Sequence, residues 1–245
     1  MEIITTIFNE VLYRPLLNLL IVIYNIIPGH DFGVAIILVT ILIRLILSPL
    51  SIKGVKSRKA LETLQPKIKE IQKKYKDKQE QAKKMMNFYK ENNINPASGC
   101  LPLLIQLPII IALYRVFIGV MDPKKLDLLY SFVNNPGHIN SWFLGIIDLA
   151  IPSIFLGIIA GAFQFWQSKI MFKNVSKSKT KGKMNIQQTM SRQMIYFMPI
   201  ITILIATKLP AGLPLYWAIT TIFGVGEHLL VQRKNEKSKN NSQNN

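Results

Sequence analysis

Five runs of roughly 20 mostly apolar residues, the length that crosses a bilayer as a helix, constrain this chain more than any other feature. They extend from Phe32 to about Ile52, Leu101 to about Val120, Ala150 to Met171, Met194 to Leu209 and Leu213 to Val231. No water reaches the hydrocarbon core, so a crossing segment must satisfy its own backbone, and single runs of this length do so as helices. The expected fold class is an all-α polytopic membrane protein with five transmembrane helices around a polar groove. Pro102, Pro108, Pro152 and Pro199 lie in or at the ends of these runs, where neighbouring helices can satisfy the freed carbonyls.

Charge orients the runs. The chain has 30 Lys and Arg against 13 Asp and Glu. A soluble nucleic-acid binder would spread that excess over a domain surface; here it is gathered into blocks, and no DNA partner is expected. Residues 53–98 hold 13 basic and 5 acidic residues. Lys169–Arg192 holds 7 basic and none acidic, and the tail from Gln232 holds 4 basic and 1 acidic. The Met121–Pro152 loop sets Lys124 and Lys125 against Asp122, Asp127 and Asp148. Basic loops stay cytoplasmic. The arrangement that satisfies every loop has the N-terminus outside, five spans and the C-terminus in the cytoplasm.

Residues 1–31 read as an extracytoplasmic interfacial helix. Glu10, Arg14 and Asn18 recur every fourth residue and share one face, which suits a helix lying in the interface. Glu2 and the lack of a small-residue cleavage site argue against a secretory signal. With no cysteine near the start, lipoprotein processing is not expected. Residues 53–98 read as a cytoplasmic helical hairpin. Leu61, Leu64, Ile68, Ile71 and Tyr75 form one apolar seam; Ala82, Met85, Met86 and Tyr89 form a shorter one. Pro66 should kink the first helix or mark its start. The Lys-rich faces suit anionic lipid; the competing reading is a docking surface for a targeting factor or a ribosome. Phe172–Gln188 reads as a mobile loop, and residues 232–245 as a disordered basic tail.

The first span, 32–52, carries a charge at an unfavourable depth. Arg44 lies about 12–14 Å from the cytoplasmic end of its helix, counting 1.5 Å per residue. Arginine near a span centre costs roughly 2.5–3.5 kcal/mol, and it keeps its proton. No Asp or Glu stands in the middle of a run; Glu227 is near the inner end of the fifth. A water-filled recess is the expected solution. Thr40 and Ser48 share the helix face of Arg44. Gln106 lies in the second run, Gln164 and Gln167 on one face of the third, and Trp217, Thr220 and Thr221 on the fifth. With Arg44, these residues are the candidate groove lining. Each Gln or Thr has an ordinary alternative as a tie between helices, and Trp166 and Trp217 as belt residues. Arg115 and Lys208 can snorkel from outer ends. His30, His138 and His228 read as ordinary interfacial residues. The sequence has no HExxH, GxSxG or GxxxxGK[ST] motif, and Cys100 is its single cysteine. No enzyme activity, metal or cofactor is expected.

Four segments in this order resemble the YidC/Oxa/Albino family of membrane protein insertases, in its short five-span bacterial form. They are ILIRLILSPLSIKG (Ile41–Gly54), the hairpin start from Lys53 to Tyr75, NPASGCLPLLIQLPIIIALY (Asn95–Tyr114) and LPAGLPLYW (Leu209–Trp217). The resemblance implies an insertase and chaperone of the bacterial plasma membrane. Its hydrated groove would open to the cytoplasm and sideways to lipid, and would be closed from outside. It implies Arg44 as the groove arginine with Thr40 and Trp217 beside it. The third and fifth spans would be the greasy flank along which a client leaves. Nascent membrane proteins would be the clients; whether a ribosome, a targeting factor or the Sec translocon takes part is left open. The rival class is a transporter or channel with an anion pathway around Arg44. Such proteins usually show midplane carboxylates or repeated halves, and this sequence shows neither.

Overall fold

The computed structural model describes residues 2–92, 95, 101–172 and 193–243. In chain order the helices are α1 (Glu2–Phe8), α2 (Arg14–Ile26), α3 (Phe32–Lys74), α4 (Lys78–Glu91), α5 (Leu101–Gly119), α6 (Ile154–Met171), α7 (Met198–Ala206) and α8 (Gly212–Gln243). A short hairpin pairs β1 (Trp142–Phe143) with β2 (Ile147–Asp148). By length and composition, Glu2–Ile26, Phe32–Leu61 and Ile154–Met171 are able to cross a membrane, and Leu104–Gly119 and Gln193–Ala206 are shorter apolar helices. The expected fifth run falls in the first part of α8, where Thr220, Thr221, Glu227 and His228 dilute its apolar character. The chain divides into two units: residues 1–46 with 106–226, and residues 47–105 with 227–245.

In the first unit, α1 and α2 are joined by one wide π turn, Asn9–Tyr13. Pro15, with no N–H to give, interrupts the ladder one turn back and accounts for the widening. A second π turn, Gln193–Phe197, stands in the same relation to Pro199 of α7. The core is built from Leu17, Leu20 and Ile21 of α2, Phe32, Ala35, Ile36 and Val39 of α3, Ala112, Leu113, Val116 and Phe117 of α5, and Leu213 and Tyr216 of α8. The opposite faces leave Leu38, Leu42 and Leu45 of α3 and Leu107 and Ile111 of α5 exposed. Contiguous apolar side chains on the outside are what lipid contact requires. Between α6 and α7 the contact is closer still. A Cβ on Gly157 would stand 2.7 Å from the Ala206 Cβ, and one on Gly161 would stand 2.6 Å from the Ile203 Cγ1. This is the small-xxx-small packing that lets membrane helices approach.

The loop between α5 and α6 is folded and fastened to the first elements of the chain. Asn18 is buried; its Oδ1 accepts from the Tyr130 amide at 2.6 Å and its Nδ2 donates to the Arg14 carbonyl at 2.8 Å. Arg14 Nε donates to the Leu128 carbonyl at 3.1 Å, and Asn25 Nδ2 to that of Asn134 at 2.7 Å. The Tyr24 hydroxyl accepts from the Asn140 amide at 2.8 Å. Asp31 accepts from Val34, in the first turn of α3, at 2.9 Å and from Leu144 at 2.6 Å. Arg14 and Asn18, read from the sequence as part of an interfacial stripe, therefore face this loop. At the tip of the β1–β2 turn, Leu144 and Gly145 both have positive φ, 51° and 68°, as a tight type I′ turn demands.

In the second unit, α3 runs on through Pro49 and Pro66. Pro66 therefore does not start the hairpin: the first span and the first hairpin helix are one helix, in which each proline forfeits a single ladder bond that flanking turns carry. The break comes at Tyr75–Asp77, and the Asp77 carboxylate caps α4 by accepting from the Gln79 amide at 3.0 Å. Gln81 Nε2 donates to the carbonyls of Gln72 and Tyr75 at 2.9 and 3.0 Å, satisfying two groups that the end of α3 leaves open. Ile68 is buried, and Gln81, Met85, Phe88 and Tyr89 are half-buried. Burial pushes the Tyr89 phenol above its ordinary pKa. Of the expected second seam Met85 and Tyr89 are half-buried while Ala82 and Met86 are exposed, and Gln81 and Phe88 complete the inward side. The expected mobile loop lies outside the described residues beyond Phe172. Helix α8 continues to Gln243, through the segment expected to be disordered from Gln232; Lys, Arg, Glu and Gln there are compatible with helix.

Candidate functional site

Three helices of the first unit converge on one chain of polar groups. Arg44 of α3 donates from Nη2 to Gln106 Oε1 of α5 at 3.5 Å. Gln106 Nε2 donates to the Tyr216 hydroxyl of α8 at 2.5 Å. Arg44 and Gln106 are half-buried, while Tyr216 is 1% exposed. The sequence reading singled out Trp217 and passed over its neighbour. A signal was present: Leu213, Tyr216 and Thr220 follow i, i+3, i+7 on the buried side of α8, and a buried phenol needs a hydrogen-bond partner.

The other candidates have different partners. Thr40 is buried and its Oγ1 donates to the Ile36 carbonyl of its own helix at 2.6 Å. Thr221 does the same to Trp217 at 2.7 Å, a common arrangement for hydroxyls within helices. Trp217 is half-buried. Thr220 is buried, and among the described residues its Oγ1 has no hydrogen-bond partner. Gln164 accepts from Thr202 of α7 at 2.5 Å, and Gln167 Nε2 donates to the Thr221 carbonyl at 3.2 Å. Gly224 leaves space for that amide, since a Cβ there would lie 2.5 Å from Gln167 Nε2. Gln164 and Gln167 thus tie α6 to its neighbours, the ordinary role for such residues. Thr202 was not anticipated. Ser48 belongs to the second unit and is half-buried.

The second unit holds a further polar group of its own. Glu227 is 4% exposed and accepts from Ser51 Oγ at 2.5 Å through Oε2; among the described residues Oε1 has no partner. Next to it, His228 Nδ1 lies 3.2 Å from Arg58 Nη2. A guanidinium only donates, so Nδ1 accepts and the ring proton sits on Nε2. His228, read from the sequence as an ordinary interfacial residue, is instead buried at 7% exposure. Its partner is 170 residues away, beyond the reach of any local pattern.

Comparison with known proteins places this architecture. The family model described as "60Kd inner membrane protein" matches residues 22–239. The chain belongs to that family. The membrane protein insertase YidC of Clostridium tetani is 37% identical over 215 residues, covering 87% of each chain. YidC of Oceanobacillus iheyensis is 36% identical over 210 residues, covering 84% of this chain and 76% of that one. The crystal structure of an active YidC insertase with its first transmembrane domain resolved is similar, with a TM-score of 0.59 and 28% identity. It is matched over 89% of this chain, which spans 45% of that protein's length. The chain is therefore a membrane-embedded, mostly helical member of a family whose bacterial relatives are named insertases. Membership does not favour the anion-pathway alternative.

Proposed function

We propose that the chain is a membrane protein insertase in which Arg44 lowers the barrier to moving a client's polar segment into lipid. The observation that carries this reading is a permanent cation on the apolar part of α3, held by Gln106 and left half-buried. A client's polar tail faces about 30 Å of hydrocarbon. A hydrated groove that reaches Arg44 shortens the dry path, and the guanidinium attracts acidic groups of the tail through charge-assisted hydrogen bonds. Thr40, Trp217 and Thr220 flank the groove. The apolar segment of the client then leaves along α6 and α8, driven by roughly 25 cal/mol per Å² of apolar surface removed from water. No covalent bond changes and no nucleotide is consumed, so the protein is not an enzyme.

The membrane arrangement that goes with this reading has the N-terminus outside, five crossings and the C-terminus in the cytoplasm. Nascent chains arriving from a ribosome, a targeting factor or the Sec translocon are the clients. The basic faces of the 53–98 hairpin rest on anionic lipid. The fastening of the Met121–Pro152 loop by Asn18, Asn25, Tyr24 and Asp31 supports a groove closed on the outer side. The test is to replace Arg44 by Ala and by Lys in cells that depend on this chain. Loss of client insertion with Ala and rescue with Lys are expected. Unchanged insertion of every client with Ala would show that the mechanism does not depend on this charge.

A further inference from the structure

Resting on that reading of Arg44, we propose that Gln106 and Tyr216 form a neutral brace that aims the guanidinium at acidic client segments, with Tyr216 as a positioning residue and Gln106 as a determinant of selectivity. The argument starts from donor and acceptor inventories. Arginine has no acceptor, so the Gln106 atom facing it is Oε1, and the amide nitrogen is left for Tyr216. The Tyr216 oxygen must then accept from Gln106 Nε2, as the 2.5 Å contact shows. The direction of the whole chain is fixed by the cation at its end. Tyr216, 1% exposed, is out of reach of a client and acts only through Gln106. Gln106 is half-buried beside Arg44 and brings a dipole without a charge. A carboxylate in its place would form an ion pair with Arg44, stronger than the amide contact, and would set negative charge where a client's acidic group must bind. A guanidinium on a long, flexible stem also loses rotamer freedom when it is held; the brace removes part of that cost before the client arrives.

The test uses the full-length chain reconstituted in proteoliposomes. Two single-span clients are compared, one with Asp in its translocated tail and one with Asn at the same positions. Gln106→Glu is expected to slow insertion of the acidic tail about tenfold more than that of the Asn tail, the scale of one hydrogen bond to a charged group. Tyr216→Phe removes one hydroxyl and is expected to slow the acidic tail about fivefold, the scale of one hydrogen bond. In an Arg44→Ala background, Tyr216→Phe should cause no further loss. A purely structural Tyr216 would slow both tails alike, lower the thermal midpoint and add to Arg44→Ala; that pattern overturns the brace. So does equal slowing of both tails by Gln106→Glu, which keeps the shape of the site and stands as an independent arm if the phenylalanine variant fails to fold. If Arg44→Ala affects neither tail, the insertase reading of Arg44 fails. If it slows the acidic tail while Gln106→Glu and Tyr216→Phe do not, only the brace fails.

Discussion

Gly161 of α6 and Ile203 of α7 approach until no Cβ fits between them: one built on Gly161 would stand 2.6 Å from Ile203 Cγ1. Helices in lipid gain little from hiding apolar surface in one another and rely on close packing. Gly161→Val is expected to destabilise the bundle by about 1–3 kcal/mol, as overpacking generally does. Ile203→Ala in the same chain should recover part of that loss. Thermal midpoints in detergent, single variants against the pair, give the check.

Asn18 is a buried residue that fastens the Met121–Pro152 loop. It accepts from the Tyr130 amide and donates to the Arg14 carbonyl. Asn18→Leu keeps the branching of the side chain and leaves the Tyr130 amide without its acceptor, at a cost of about 1–3 kcal/mol. Hydrogen exchange should rise across Leu126–Asn134 and stay unchanged in α6. Asn18→Asp keeps the acceptor and should show a smaller rise.

Ser51 and Glu227 make a separate prediction. Among the described residues, the buried carboxylate has Ser51 as donor to Oε2 and no partner on Oε1. Glu227→Gln keeps the shape and lowers the desolvation penalty, so its thermal midpoint is expected to equal or exceed that of the parent. Ser51→Ala leaves the carboxylate without that donor and should cost about 1–3 kcal/mol. That cost should shrink in the Glu227→Gln background, and a double-mutant cycle measures the coupling.

Leu144 holds φ 51° at a turn tip where it is 63% exposed. A left-handed conformation costs a side chain with a Cβ roughly 1–2 kcal/mol, least for Asn. Leu144→Asn is therefore expected to stabilise the β1–β2 hairpin by up to about 1 kcal/mol. Slower amide exchange at Ile146 and Leu149 would register it. No gain, or faster exchange, would mean that the exposed leucine contributes more than the strain removes.

The helical architecture could be read in the sequence because a bilayer imposes both a length and a uniform polarity on each run. Arg44 stood out for the same reason, as did Gln106. What could not be read were pairings between distant runs. Gln106 and Tyr216 are 110 residues apart, Arg58 and His228 170 apart, and periodicity does not say which helices adjoin. The continuity of α3 through Pro49 and Pro66 went against the usual meaning of proline. In the second hairpin seam Met85 and Tyr89 turn inward as expected, but Gln81 could not be anticipated, because a polar residue turns inward there to reach the carbonyls of Gln72 and Tyr75 at the end of α3.

The π turn at Asn9–Tyr13 has a consequence for experiments along the first 26 residues. One extra residue in a turn rotates everything beyond it by about 100° relative to a regular helix. Upstream, Ile3, Ile4 and Ile7 face outward; downstream, Leu17, Leu20 and Ile21 face inward. A cysteine scan of lipid accessibility should thus trace two waves of the same wavelength that fall out of step at Asn9–Tyr13, and Pro15→Ala should bring them back into register.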